Sequence, residues 1–137
     1  MTEAQAQATR GIARALGPFL MVFGAAVATR PAEMPPMLQA FFQNPIFVFV
    51  TAAFTLAVGL GVFAAHHHFN SPPAFIISVF AIVTAVRGAL LLSIPSIFST
   101  LATNIVTAPN VALIPAILAV LIGAYLSYSS WFAKPAV

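Results

Sequence analysis

Phe75-Ile-Ile-Ser-Val-Phe-Ala-Ile-Val-Thr-Ala-Val-Arg-Gly-Ala-Leu-Leu-Leu92 is apolar throughout except for a few small polar residues and one charge, Arg87. A helix needs about 20 such residues to cross a hydrocarbon core of ~30 Å. Three further runs have the same character, at about Gly11 to Thr29, Pro45 to Ala65 and Val111 to Trp131. With the third run, taken as about Pro73 to Ile94, they predict four spans. The runs are continuously apolar, whereas barrel strands alternate apolar and polar residues, so helices are expected.

Composition agrees. Of 137 residues, 61% are hydrophobic and 5% are charged, against about 25% charged in a soluble domain. So few charges cannot cover a water-facing surface, and the chain reads as one integral membrane domain over residues 1–137 with no separate soluble domain. The net charge of +3 rests on five cations. All but Arg87 lie at or near the ends of apolar runs, as topology determinants do, so no nucleic-acid patch is read. The chain has no cysteine, which excludes thiolate metal sites and a cysteine nucleophile.

Arg10 and Arg14 ahead of Pro18–Phe23, with Ala26-Val27-Ala28 behind, also fit a signal peptide. The expectation here is a retained span, since a cleaved peptide would be absent from a mature chain. Arg10, Arg14 and Lys134 then share one side and Arg30, offset by Glu33, lies on the other. That bias places both termini, and the His66-His67-His68 turn, in the cytoplasm. Trp131, Tyr125 and Tyr128 suit an aromatic anchor at the end of the last span. Between spans one and two, Met37, Leu38, Phe41 and Phe42 fall on one helical face behind Pro36, predicting a short interfacial helix. Residues 96–110 either extend the third helix past Pro95 or form a second interfacial turn. Small residues mark expected packing stripes: Ala112, Ala116, Ala119, Gly123, Ser127 and Ser130 in span four; Ala53, Ala57 and Gly61 in span two; Ala81, Ala85 and Ala89 in span three.

Arg87 is the first candidate functional residue. Arginine stays charged, and a charge at the bilayer centre costs roughly 2.5–3.5 kcal/mol on insertion scales. Its side chain is expected to tilt toward the bundle centre. It serves as a depth-fixing structural charge or as an anion clamp, with Glu33 the one acid expected on its side. His66, His67 and His68 are weak candidate metal ligands, because neighbouring helical residues point about 100° apart and no acid lies near them. The competing reading is a polar helix end whose imidazoles cap carbonyls. There is no aspartate, and the two glutamates fall on opposite sides. No carboxylate pair, Ser–His–acid set or phosphate loop is found, and no cofactor is predicted.

Ala13-Arg14-Ala15-Leu16-Gly17, Gly59-Leu60-Gly61-Val-Phe-Ala-Ala-His66 and Arg87-Gly88 leading to Pro95 resemble motifs of a group of small four-span bacterial inner-membrane proteins. Such proteins often show Lys-Gly where this chain has Arg87-Gly88. Their His-Asn turn is replaced by His66-His67-His68-Phe69-Asn70. The resemblance implies a bacterial membrane and a cation before glycine in span three, and no activity. The expectation is an all-α, four-helix transmembrane bundle with an interfacial helix after span one. Its partners are the lipid bilayer and other membrane subunits or further copies of itself. The leading function is a non-enzymatic accessory or scaffolding subunit. The alternatives are a small transporter or channel for an anionic or lipid-like ligand, and an electron-transfer subunit using the histidines.

Overall fold

The computed structural model describes residues 2–132, with the backbone alone described at 105–107 and 109–112; Lys134 and the side chains of Ile105 and Ala112 lie outside this. Among the described residues the chain is all-helical: α1 (Glu3–Thr29), α2 (Met34–Gln43), α3 (Pro45–Ala65), α4 (Pro72–Ser93), α5 (Pro95–Thr107) and α6 (Pro109–Trp131). Four of these, α1, α3, α4 and α6, are long and apolar enough to cross a membrane. The short helix expected between the first two spans is α2.

Proline punctuates the chain. It stands in the first turn of α2 through α6, where the missing N–H costs nothing. Proline also disfavours helical geometry at the preceding residue, so Ile94 departs from it at φ −140°, ψ 70° and α5 is a separate helix, not a continuation of α4. Side chains close other ends. Asn44 Oδ1 accepts from the amides of Ile46 and Phe47 at 3.2 and 3.3 Å, and Ser71 Oγ from Ala74 at 3.4 Å. Helix α1 begins eight residues before the apolar run at Gly11. The cause is a capping box: Thr2 Oγ1 accepts from the Gln5 amide while Gln5 Oε1 accepts from the Thr2 amide. Two polar turns are thereby made helical without help from hydropathy.

The four spans form two antiparallel pairs. Helix α1 packs along α6, and α3 along α4; the pairs meet one another much less, where α1 reaches α4. Glycines set both close approaches. A methyl group on Gly59 would collide with the Ala85 backbone, and one on Gly88 with the Leu56 backbone. In the other pair a methyl on Gly17 would lie 2.5 Å from Ser127 Oγ and one on Gly123 2.6 Å from the Gly17 carbonyl. Small residues allow this contact because lipid supplies no hydrophobic drive for helix association. The span-four stripe faces α1 at Ala116, Gly123 and Ser130, all buried. The expected stripe of span two is overturned: Ala53, Ala57 and Gly61 are exposed, and Val48, Ala52 and Gly59 are the buried positions. Spacing of small residues alone does not say which of two faces is covered. Of the expected span-three stripe Ala81 is buried and Ala85 and Ala89 are half-buried, with Gly88 beside it buried as well.

Two apolar clusters lie at opposite ends. Ala13, Leu20, Ile77 and Leu126 join α1, α4 and α6, with Val62 of α3 against them. At the far end Val48, Ala52 and Leu91 pack with Phe41 and Phe42 of α2 and Phe98 of α5. Of the face expected on α2, the two phenylalanines are half-buried there, while Met37 is exposed. The molecule is open. Its accessible surface is 8635 Å², against about 6,800 Å² for a compact protein of this mass. Phe47, Phe49, Phe54 and many other apolar side chains face outward.

Gly59→Val is expected to drive α3 from α4 and lower stability by about 1–3 kcal/mol. Gly61→Ala, with open space at that position, is expected to be neutral or to gain up to about 1 kcal/mol from helix propensity. Denaturation in detergent followed by circular dichroism separates the two; equal losses would contradict the assigned packing face.

Candidate functional site

Two places hold polar chemistry within the apolar body, and they differ in kind. The first is a buried polar cluster around His66. Val62 accepts the His66 amide at 2.8 Å, ending α3, and the extended backbone at His66 (φ −150°) turns its ring inward between α1 and α4. His66 and Ser78 are fully buried and Thr9 nearly so. His66 Nε2 lies 2.8 Å from Thr9 Oγ1, and Nδ1 lies 3.2 Å from Ser78 Oγ. Each hydroxyl also lies within hydrogen-bond reach of a carbonyl: Thr9 Oγ1 is 2.8 Å from Gln5 O, and Ser78 donates to His68 O at 2.8 Å. Gln5 Nε2 lies 3.4 Å from His68 Nδ1. The cluster therefore stitches α1, the α3–α4 turn and α4 together.

Burial pushes the His66 imidazole below the ordinary histidine range; its own backbone opposes this, and the neighbouring rings of His68 and His67 add to it. The three histidines do not act as one set. His66 spends both ring nitrogens on hydroxyls, His67 is exposed beside Phe63 with ring centroids 6.2 Å apart, and His68 faces Gln5. The expected carbonyl-capping role is replaced, at His66, by a buried bridge. Sequence spacing predicted neither Thr9 nor Ser78. The available signal was Ser78 on the same α4 face as Ala74, Ile77 and Ala81.

The second place is Arg87, which the structure puts on the outer face of α4. It is exposed, next to Val83, Val86 and Leu90, which are also exposed, and its tilt does not carry it into the bundle. Among the described residues it has no hydrogen bond or ion pair. Glu33 is not its partner: it pairs with Arg30, three residues away, both exposed. That pair raises the Arg30 pKa and lowers that of Glu33, and water screens it.

The level of Arg87 along the α3–α4 pair follows from helix register. Its neighbour Gly88 abuts Leu56, which is eleven residues after Pro45 and nine before Ala65 in α3. At 1.5 Å per residue, Arg87 is level with a point about 15 Å from either end of α3, and about 9 Å before Ser93 at the end of its own helix. Ile46, Phe47, Phe49 and Val50 are exposed on the outward side of that level. Exposed apolar side chains thus lie between the level of Arg87 and the α2–α5 end of the molecule. Arg14, by contrast, is well placed: its guanidinium covers the Trp131 ring at 5.1 Å and its Nε donates to Ser130 O at 3.4 Å, at the negative end of α6.

Two shallow grooves of about 210 and 310 Å³ lie between α2, α5 and the adjoining ends of α3 and α4, at the end of the molecule opposite His66. Polar side chains at their walls, Gln39, Gln43, Ser99 and Thr103 among them, carry no charge. No family model, curated protein or solved structure matches the chain.

Thr9→Val and Ser78→Ala are each expected to cost about 1–3 kcal/mol, because each strands a buried ring nitrogen. Their effects should couple through His66 and not add. Ser99→Ala removes only a bond to its own helix, at Ser96 O, and should stay within about 0.5 kcal/mol. Urea or dodecyl-sulfate titration of the purified variants measures all three.

Proposed function

We propose that this chain is a non-catalytic accessory subunit of the bacterial inner membrane, with cytoplasmic termini, that docks the Arg87 face of α4 against a different membrane protein. The observation that carries the reading is an exposed guanidinium, with no hydrogen bond or ion pair among the described residues, on an otherwise apolar face of a candidate span. Such a placement is tolerated when something covers it. A second copy is a poor cover: the chain has two acidic residues, Glu3 at the start of α1 and Glu33 outside the spans in a pair with Arg30, so another copy brings a second cation and no carboxylate at that level. The occupant that fits is a transmembrane helix with an aspartate or glutamate at the depth of Arg87, flanked by side chains that pack on Val83, Val86 and Leu90. A bidentate arginine–carboxylate pair in low dielectric is strong and directional, which suits a fixed subunit contact.

Native mass spectrometry after mild detergent extraction tests this. The expected result is a stoichiometric complex with another membrane protein, kept in Arg87→Lys and reduced at least tenfold in Arg87→Leu. A wild-type monomer carrying a phospholipid that Arg87→Leu no longer binds would instead assign the guanidinium to a lipid phosphate. A homo-oligomer indifferent to Arg87 would also overturn the proposal.

A further inference from the structure

The polar cluster at His66 has a property that its packing role does not require. Four short contacts run in series from Gln5 O through Thr9, the imidazole and Ser78 to His68 O. Each needs one proton. Two hydroxyls and a neutral ring bring three, and an imidazolium ring brings four. In the neutral state one contact must go without. The contact best spared is Thr9 to Gln5 O, because that carbonyl already accepts a helical amide in α1, whereas Ser78 is the hydroxyl donor to His68 O, which lies outside any helix. Neutral His66 therefore carries its proton on Nδ1, donates to Ser78, and accepts at Nε2 from the Thr9 hydroxyl. Adding a proton at Nε2 requires only that this hydroxyl rotate back to Gln5 O.

We propose that His66 is a proton-binding site that governs how firmly the α1–α6 pair is held to the α3–α4 pair, with the Thr9 hydroxyl as its moving part. The cluster sits where α1 meets α4, the principal junction between the spans of the two pairs, so a change there acts on their relative position. The surroundings decide the direction. On its own segment the ring has His67 and His68. On α1, Gln5 and Thr9 are neutral, Arg10 and Arg14 are cations, and Glu3 is the one acid, six residues from Thr9. On α4, Ser78 is neutral and Arg87 is the helix's one charge; α6 has none. Among the described residues no carboxylate touches the ring, so the proton enters as an uncompensated buried charge. The folded state takes it up at lower pH than the unfolded chain does. The junction is consequently firm above the unfolded histidine value of about 6.5 and loosens as pH falls below it.

Nitrogen-15 NMR of histidine-labelled wild-type protein in nanodiscs reads the site directly. The expected result is an Nδ1–H tautomer for His66 at pH 8 and a titration midpoint below about 6.5. An Nε2–H tautomer, or a midpoint at or above that value, would overturn the proposal. The coupling is read by spin labels on Gln7→Cys and Asn70→Cys, both exposed, in a chain with no other cysteine. Their distance distribution should lengthen or broaden from pH 8 to pH 5 and stop responding in His66→Gln. It should still respond in His67→Ala. Distances that ignore pH in the wild type, or that still respond in His66→Gln, contradict it.

Discussion

In a bilayer, helices gain nothing by hiding apolar surface from one another, because lipid tails are as apolar as leucine. The fold depends on the two substitutes for that missing drive. One is backbone contact at glycine, where Gly59 and Gly88 lock α3 to α4 and Gly17 and Gly123 lock α1 to α6. The other is the buried polar bridge at His66, which joins the two pairs that glycine contact leaves separate. Glycine contact gives stiffness within each pair. A hydrogen-bonded bridge gives a specific junction that can respond to its chemical state.

This division explains why so much of the molecule is left open. The pairs meet at the His66 end around Ala13, Ile77 and Leu126, and α2 and α5 fill the other end through Phe41, Phe42 and Phe98. Between these ends the outer faces remain apolar and exposed, as lipid-facing surfaces should. Arg87 is the exception. It sits on such a face, level with the middle of α3, with no counter-charge among the described residues. The structure satisfies the other cations that it describes in detail: Arg14 by Trp131 and a helix carbonyl, and Arg30 by Glu33.

The architecture was legible in the sequence because hydropathy over twenty residues is a cooperative signal and proline marks helix starts. The spans and the short helix α2 rest on those two cues, whereas whether the chain continues as one helix past Pro95 was left open by them and is settled by the break at Ile94. What could not be read was facing. Ala53, Ala57 and Gly61 have the spacing of a packing stripe but look outward, since helix periodicity identifies a face without naming its neighbour. The same gap hid the buried polar cluster. His66 was visible as one of three histidines, but its partners Thr9 and Ser78 lie fifty-seven and twelve residues away, and only tertiary contact brings them together. Arg87 was conspicuous by its cost; that Glu33 is taken by Arg30 is a contact that hydropathy and helix spacing do not predict.

The central claim is that the Arg87 face of α4 is covered by another protein in the membrane. Photocrosslinking from Val83, which shares that face, tests it most directly in intact cells. The account predicts a discrete crosslink to a transmembrane segment of a different protein that carries an aspartate or glutamate, and no such product from Phe54, an exposed side chain on α3. Crosslinks from Val83 to lipid alone, or to a second copy of this chain, would contradict it.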